Sequence, residues 1–195
     1  NVVQTINDLK ILDDLHETKT ILYLLSKIIN NHYRVPDFFK KIEKILQSLR
    51  QDILKYFTNY EIFSIFKGNK RILLFLLREN NVRIDGFISN ILTNGKYQKY
   101  RYPHYFYPEI KQYLSPILNY EISNLISEDF EEKRNLGEND NLLAQIIRKD
   151  SIDEFITYVN RSNYSLDSEI EISIFETNSF LLKKGSQTTL IEYAA

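Results

Sequence analysis

The chain has 195 residues, of which 43% are apolar and 26% charged, and its formal net charge is −1. This composition is typical of a globular protein with a hydrophobic core, and it excludes an intrinsically disordered chain. The near-zero net charge predicts no long-range attraction of the whole chain to nucleic acid or to an anionic membrane, so such a partner would need a local patch.

Cysteine is absent, which removes disulfides, thiolate nucleophiles and zinc sites with thiolate ligands. The absence agrees with an intracellular location, cytoplasmic or nuclear. The longest apolar run, residues 72–77, falls far short of the roughly 18 residues of a membrane span. Methionine is also absent, so residue 1 is not a native initiator and we expect a piece of a longer chain.

The first half of the chain predicts a succession of helices, because glycine and proline are scarce and apolar residues recur at helical spacing. Residues 2–30 form one long helix or two short ones in this interpretation. Residues 35–57, which begin with a proline in the first turn, predict an amphipathic helix of about six turns. Three short helices follow, delimited by Thr58 or Asn59 as a cap, Gly68-Asn69 as a break, and Asp85-Gly86 as a start.

The second half predicts shorter and less regular helices. Residues 94–108 are expected to be irregular, with helices resuming at Pro108 and at Ser115-Pro116. Leu136-Gly137 is interpreted as a boundary, followed by a helix pair over 139–148 and 151–159. Residues 160–187 are expected to be rich in loops, with a short helix near 173–176, before Thr188-Thr189 caps a last helix. No strand is predicted, because the alternating segment 169–175 has no partner.

The end of the sequence fits the opening of an ankyrin unit, a two-helix hairpin that begins T-P-L-H-x-A. Thr189 would be the cap, with Leu190 in place of the usual Pro and Glu192 in place of the usual His. Two upstream segments also read as helical hairpins, with Gly68 and Asp150 at the turns. These turns are 82 residues apart, which is not a multiple of about 33. Either the hairpins are of another kind or insertions separate them.

The chain carries a resemblance to a known family over essentially its whole length, and the resemblance is strongest in six motifs. They are Asn59-Tyr60-Glu61-Ile62-Phe63-Ser64-Ile65-Phe66, Pro108-Glu109-Ile110, Gly137-Glu138-Asn139-Asp140, Ile147-Arg148-Lys149-Asp150, Ser173-Ile174-Phe175-Glu176 and Thr189-Leu190-Ile191-Glu192-Tyr193-Ala194-Ala195. With these motifs the chain resembles a family of ankyrin-repeat proteins, expanded in trichomonad protists, that carry a helical region before the repeats. The resemblance implies no catalytic residue, and it implies that ankyrin repeats continue beyond residue 195.

The predicted fold is therefore all-α, an irregular array of helical hairpins that leads into an ankyrin-like solenoid. Residues 1–137 are the predicted N-terminal helical domain, and residues 138–195 the degenerate ankyrin-like pair with the start of the first repeat. The predicted function is protein–protein interaction, as a scaffold or adaptor, because repeat solenoids bind proteins on their extended surfaces. We expect protein partners, and we also expect self-association through an apolar end.

Nothing in the sequence predicts an enzyme or a cofactor. The three histidines, His16, His32 and His104, form no H-E-x-x-H motif, and nearby residues supply no further metal ligands. No glycine-rich phosphate loop and no G-x-S-x-G motif occurs. We predict a non-catalytic chain without a metal or a cofactor.

The sharpest local feature is a basic and aromatic segment, here the Lys96–Tyr107 segment. Its candidate binding residues are Lys96, Tyr97, Lys99, Tyr100, Arg101, Tyr102, His104 and Tyr105. The alternative function is a nucleic-acid or phosphoprotein-binding module, in which the rings stack on bases and the cations meet phosphates. This alternative requires at least three of the four tyrosines to face solvent. Three positive charges are few for nucleic acid, so the favoured interpretation is that the rings fill gaps between helices.

Overall fold

The structure is a computed structural model, and it describes residues 14–31, 36–94, 101–178, 181–182 and 188–194. The regular secondary structure of these residues is helical, which confirms the all-α character of the predicted fold, and among them no strand occurs. The only extended pairing in the described residues is an isolated antiparallel bridge between Glu169 and Thr189. The chain divides into two compact units, Asn1–Thr93 and Asn94–Ala195.

The described part of the first unit contains six α-helices. They are α1 (Leu15–Asn31), α2 (Pro36–Ser48), α3 (Arg50–Tyr56), α4 (Asn59–Phe66), α5 (Lys70–Arg78) and α6 (Gly86–Thr93). Their apolar faces meet in one core, in which the side chains of Leu22, Leu46, Ile53, Phe63 and Leu73 are fully buried. The predicted part of the first helix before residue 14 lies outside the described residues.

Short side chains start three of these helices where the sequence predicts. Thr58 and Glu61 form a capping box, since the Thr58 backbone N–H donates to the Glu61 carboxylate and the Glu61 N–H donates to Thr58 Oγ1. Asn69 Oδ1 accepts from the Ile72 N–H at 3.0 Å and begins α5. Asp85 Oδ1 accepts from the first turn of α6, and these hydrogen bonds, led by the one from Ile88, lower the pKa of its carboxyl.

The six-turn helix predicted over residues 35–57 is wrong in one respect, because it is divided at Leu49. Leu49 has φ −86° and ψ 0°, outside helical values, and its side chain is fully buried. The hydrogen bonds Leu49 N–H to Ile45 O and Ile53 N–H to Leu49 O persist on either side. The bend lets both α2 and α3 pack against α1. Tertiary packing therefore overrides a continuous helical pattern.

The described part of the second unit contains seven α-helices and one 3₁₀ turn. They are α7 (Tyr102–Tyr105), α8 (Tyr107–Ile110), the 3₁₀ turn Lys111–Tyr113, α9 (Pro116–Ser123), α10 (Phe130–Leu136), α11 (Leu142–Arg148), α12 (Ile152–Ser162) and α13 (Leu190–Ala194). The predicted pair over 139–148 and 151–159 is thus present as α11 and α12. Asp150, in the turn between them, has a left-handed φ of 53°, the conformation that favours glycine.

Two local predictions in the second unit are wrong. Residues 102–105, expected to be irregular, form α7, and its Pro103 sits in the first turn, where a missing N–H costs nothing. The helix expected near 173–176 is instead a turn, closed by the Glu176 N–H on Ser173 O at 3.3 Å. Thr177 donates from its N–H and its Oγ1 to Gly137 O, which holds this segment to a distant part of the chain.

The division after Thr93 differs from the predicted boundary after Gly137. Gly137 ends α10 in a left-handed conformation with φ 68°, so a helix does stop there. Side chains nevertheless bridge this point, because Lys133 pairs with Asp140 at 3.1 Å and the Phe130 ring meets the Phe175 ring at 5.4 Å. These contacts place the residues before and after Gly137 in one compact unit.

Candidate functional site

The Lys96–Tyr107 segment is the site that the sequence singles out. Lys96, Tyr97, Lys99 and Tyr100 lie outside the described residues. Arg101 is exposed in a left-handed conformation just before α7, and His104 is half-buried. Tyr102 and Tyr105 are buried, with 1% and 0% of their surface exposed. At most two of the four tyrosines can therefore face solvent, and the requirement of the alternative function for three exposed rings is not met.

Tyr105 is buried because its ring and its hydroxyl both have partners in the core. The ring packs edge to face on Phe106 at 5.0 Å between centroids, and Tyr102 meets the same ring at 5.8 Å. The Tyr105 hydroxyl donates to Arg134 O at 3.0 Å. That carbonyl belongs to the last turn of α10, where carbonyls lack partners within the helix. The tyrosine thus closes the end of a helix and is unavailable for stacking on a ligand.

Arg134 joins three segments of the second unit from a buried position, with 2% of its surface exposed. Its guanidinium donates to Glu109 Oε2 at 2.6 Å, to both carboxylate oxygens of Glu131 at 2.8 and 2.9 Å, and to Tyr105 O at 3.2 Å. Burial opposes the charged form of Arg134, but the hydrogen bonds and charges of Glu109 and Glu131 outweigh it, and the pKa is raised. These hydrogen bonds hold α7, α8 and α10 together, so the role of Arg134 is structural.

A second polar cluster surrounds Arg148 at the end of α11. Its guanidinium donates to the Tyr193 hydroxyl at 2.8 Å and to Asn139 O at 2.7 Å, and it pairs with Glu138 at 3.0 Å. The buried Asn139 side chain donates in turn to Glu171 O at 2.8 Å. Three of the motifs that carry the family resemblance, those beginning at 137, 147 and 189, therefore meet in one place, and the motif beginning at 173 joins them because the Asp140 N–H donates to Ser173 Oγ at 3.3 Å. These motifs hold the hairpin and α13 together.

The hydroxyl of Tyr193 has a strongly raised pKa. Burial, together with the negative charge of Glu176, raises the pKa of its hydroxyl from 10.0 to about 12, against the opposing effect of Arg148. The folded state keeps the proton that the unfolded chain loses, so the contribution of Tyr193 to stability is complete below pH 10 and disappears as the pH rises towards 12.

We therefore expect the free energy of unfolding to fall less with rising pH for Tyr193→Phe than for the wild type. The check is the urea midpoint of both proteins at about pH 9 and about pH 11.5, which bracket most of the titration. Tyr120→Phe, at an exposed tyrosine of the same unit, is the matched control and should decline as the wild type does. Equal declines for Tyr193→Phe and the wild type would contradict the assignment.

The outer face of α12 is the candidate interaction surface that the sequence did not reveal. No residue of this helix is buried, although Phe155 and Tyr158 pack against the core on its inner side. On the outer side Ile152 and Ile156 leave 65% and 51% of their surface exposed. The spacing of these two isoleucines is helical, and the sequence predicted a helix over 151–159. The sequence could not distinguish a face that packs inside the unit from one that packs on a partner.

Comparison with known proteins adds no constraint on the function. No protein-family model, no curated protein and no solved structure matches the chain. Within the described ranges, no three His, Asp or Glu side chains gather in a way that could hold a metal ion. Likewise no described helix is long and apolar enough to cross a membrane. The function is therefore inferred from the geometry of the second unit.

Proposed function

We propose that the chain is a non-catalytic protein-interaction domain, a scaffold or adaptor, whose residues 138–195 form an ankyrin-like hairpin and the opening of the next unit. The observation that carries the proposal is the outer face of α12, where two large apolar side chains stand exposed on a helix that buries none of its residues. Exposed apolar residues grouped on one helix face are typical of protein-binding sites.

The packing around the hairpin supports the ankyrin-like part of the proposal. Helices α11 and α12 pack against each other, and α13 packs on α11, as the first helices of successive repeats do in a stacked array. Asp150 takes the glycine-like conformation at the hairpin turn. Thr189 and Glu192 form a reciprocal capping pair at the start of α13, with the Thr189 N–H donating to Glu192 Oε2 at 3.0 Å.

Affinity capture tests this proposal. The wild-type protein and the double variant Ile152→Glu/Ile156→Glu would each be used as bait in lysate of the source organism, after nuclease treatment and at moderate salt. A parallel capture without nuclease shows which material depends on nucleic acid. We expect proteins that the wild type retains in both captures and the double variant loses, because two buried carboxylates would disrupt an apolar contact. Ile117→Glu, at a 74% exposed isoleucine on α9, is the matched control and should retain them.

Two outcomes would contradict the proposal. Equal retention by the wild type and the double variant would exclude the outer face of α12 as the binding surface. Loss of all retained material on nuclease treatment would point instead to a nucleic-acid partner. Binding through phosphate contacts would also weaken steeply as the salt concentration rises.

A further inference from the structure

From the geometry of α12 we infer that its partner is α12 of a second copy of this chain, packed antiparallel about a two-fold axis near Ile156. The inference rests on the proposed function, because it takes the outer face of α12 as a protein-binding surface. It adds the identity of the partner and the direction of the two helices.

The contact would be made by a stripe of apolar side chains, each about one helix turn from the next. Ile152, Ile156 and Val159 follow the i, i+4, i+7 spacing that places side chains along one side of a helix. The two isoleucines are exposed and Val159 is half-buried beside them. Asn160, exposed four residues after Ile156, borders the stripe with a neutral polar group, which suits the rim of a small interface.

The charges of α12 argue for a second copy in antiparallel orientation. Asp153 and Glu154 lie in its first turn and Arg161 in its last. In the described part of the chain none of these three forms an ion pair, whereas Lys133, Arg134 and Arg148 are all paired. An antiparallel pair brings the acidic first turn of each helix alongside the basic last turn of the other. A parallel pair would place like charges and like helix dipoles together.

In a two-fold contact each copy uses the same surface patch, so the apolar stripes of both helices are buried together. Lys149 and Asp150, just before the helix, carry opposite charges and leave the acidic excess at this end unchanged. An 11-residue helix is only about 16 Å long, so the contact is small. We expect a dissociation constant on the order of 10–1000 µM, as for weak interfaces of limited area.

Sedimentation equilibrium over about 10 µM to about 1 mM covers this range and tests association. We expect the wild type to approach the mass of a dimer and Ile152→Glu/Ile156→Glu to bind at least about tenfold more weakly. The control Ile117→Glu should associate as the wild type does. Circular dichroism checks that each variant is folded, which is expected because the substituted side chains are exposed.

Disulfide cross-linking tests the direction, and the absence of native cysteine makes it specific. Ile156→Cys lies near the proposed axis and should cross-link to itself under mild oxidation. A mixture of Asp153→Cys with Asn160→Cys should give the mixed dimer in preference to either homodimer, because these positions face each other only in the antiparallel arrangement. Preferential Asp153→Cys homodimers would overturn that arrangement.

The two proposals fail separately. A wild type that remains monomeric at about 1 mM, together with lysate proteins that require Ile152 and Ile156, would overturn the second copy and keep the interaction surface. Association that is unchanged in the double variant would overturn the assignment of the dimer to α12. Retention of lysate proteins regardless of the double substitution would overturn the proposed function, whether or not the chain dimerises.

Discussion

Replacing Tyr105 by alanine is expected to lower the free energy of unfolding of the second unit by about 3–5 kcal/mol, the usual cost of deleting a buried aromatic ring. The ring is fully buried between its neighbours, and its hydroxyl satisfies the carbonyl of Arg134 at the end of α10. Urea unfolding followed by far-ultraviolet circular dichroism measures the loss. The chain has no tryptophan, so tyrosine fluorescence is the second probe.

The conservative variant Tyr105→Phe separates the two contributions. It keeps the ring and removes the hydroxyl, so we expect a smaller loss of about 1–2 kcal/mol from the carbonyl that is left without its partner. Tyr120→Phe is the control at an exposed position. If Tyr105→Ala unfolded at the urea midpoint of the wild type, the ring would not belong to the core. The Lys96–Tyr107 segment would then again be a candidate binding site for nucleic acid or a phosphoprotein.

Replacing Arg134 by alanine is expected to cost about 3 kcal/mol, near the lower end of what is found when one partner of a buried ion pair is removed. The lower end applies because the Glu131 carboxylate is 53% exposed and can be solvated in the variant. The Glu109 carboxylate is only 20% exposed and would lose most of the favourable interactions that offset its burial. The substitution also leaves Tyr105 O without the guanidinium that it accepts from. The same urea experiment measures the effect.

Two further variants of arginine make this result specific. Arg134→Lys keeps the charge but cannot present the planar fork that reaches Glu109, Glu131 and Tyr105 together, so it should recover less than half of the loss. Arg161→Ala, at an exposed arginine without an ion pair in the described residues, should stay within about 0.5 kcal/mol of the wild type. A loss below about 1 kcal/mol for Arg134→Ala would show that the cluster contributes little.

The helices that the sequence predicts correctly are those whose ends are determined by neighbouring residues. Thr58 with Glu61, Asn69 and Asp85 each bond a backbone N–H two or three residues away. Such a signal is complete within one turn, and its effect does not depend on the rest of the fold. The end of α10 at Gly137 and the turn at Asp150 belong to the same class, since both need only a left-handed residue.

The mispredicted elements depend on contacts with distant residues. The bend at Leu49 follows from the packing of α2 and α3 on α1, and no breaker residue marks it. The segment 173–176 forms a turn because its neighbour Thr177 is bonded to Gly137, 40 residues earlier in the chain. A periodic pattern contains no information about which distant backbone group competes for a segment.

The candidate site shows the same limit. The Lys96–Tyr107 segment combines basic and aromatic residues, and that composition suits a binding patch and a packed connection equally well. The hydrogen bond of Tyr105 to Arg134, 29 residues later, decides in favour of packing for that ring. The outer face of α12 was missed because a sequence does not distinguish an isoleucine that will be exposed from one that will be buried.

The short antiparallel bridge between Glu169 and Thr189 has a consequence for how this chain tolerates changes of length. Two backbone hydrogen bonds, Ile170 N–H to Thr188 O at 2.8 Å and Leu190 N–H to Ser168 O at 3.0 Å, tie the chain together at both ends of the segment between them. Changes of length between these two bonds are expected to leave the bridge intact where they spare Ile172, Leu181 and Leu182, which share a core with Leu190, since the entropy of closing a loop grows only slowly with its length. A helical pair joined to the next helix in this way needs no fixed spacing along the sequence, and a search for a fixed spacing would overlook it.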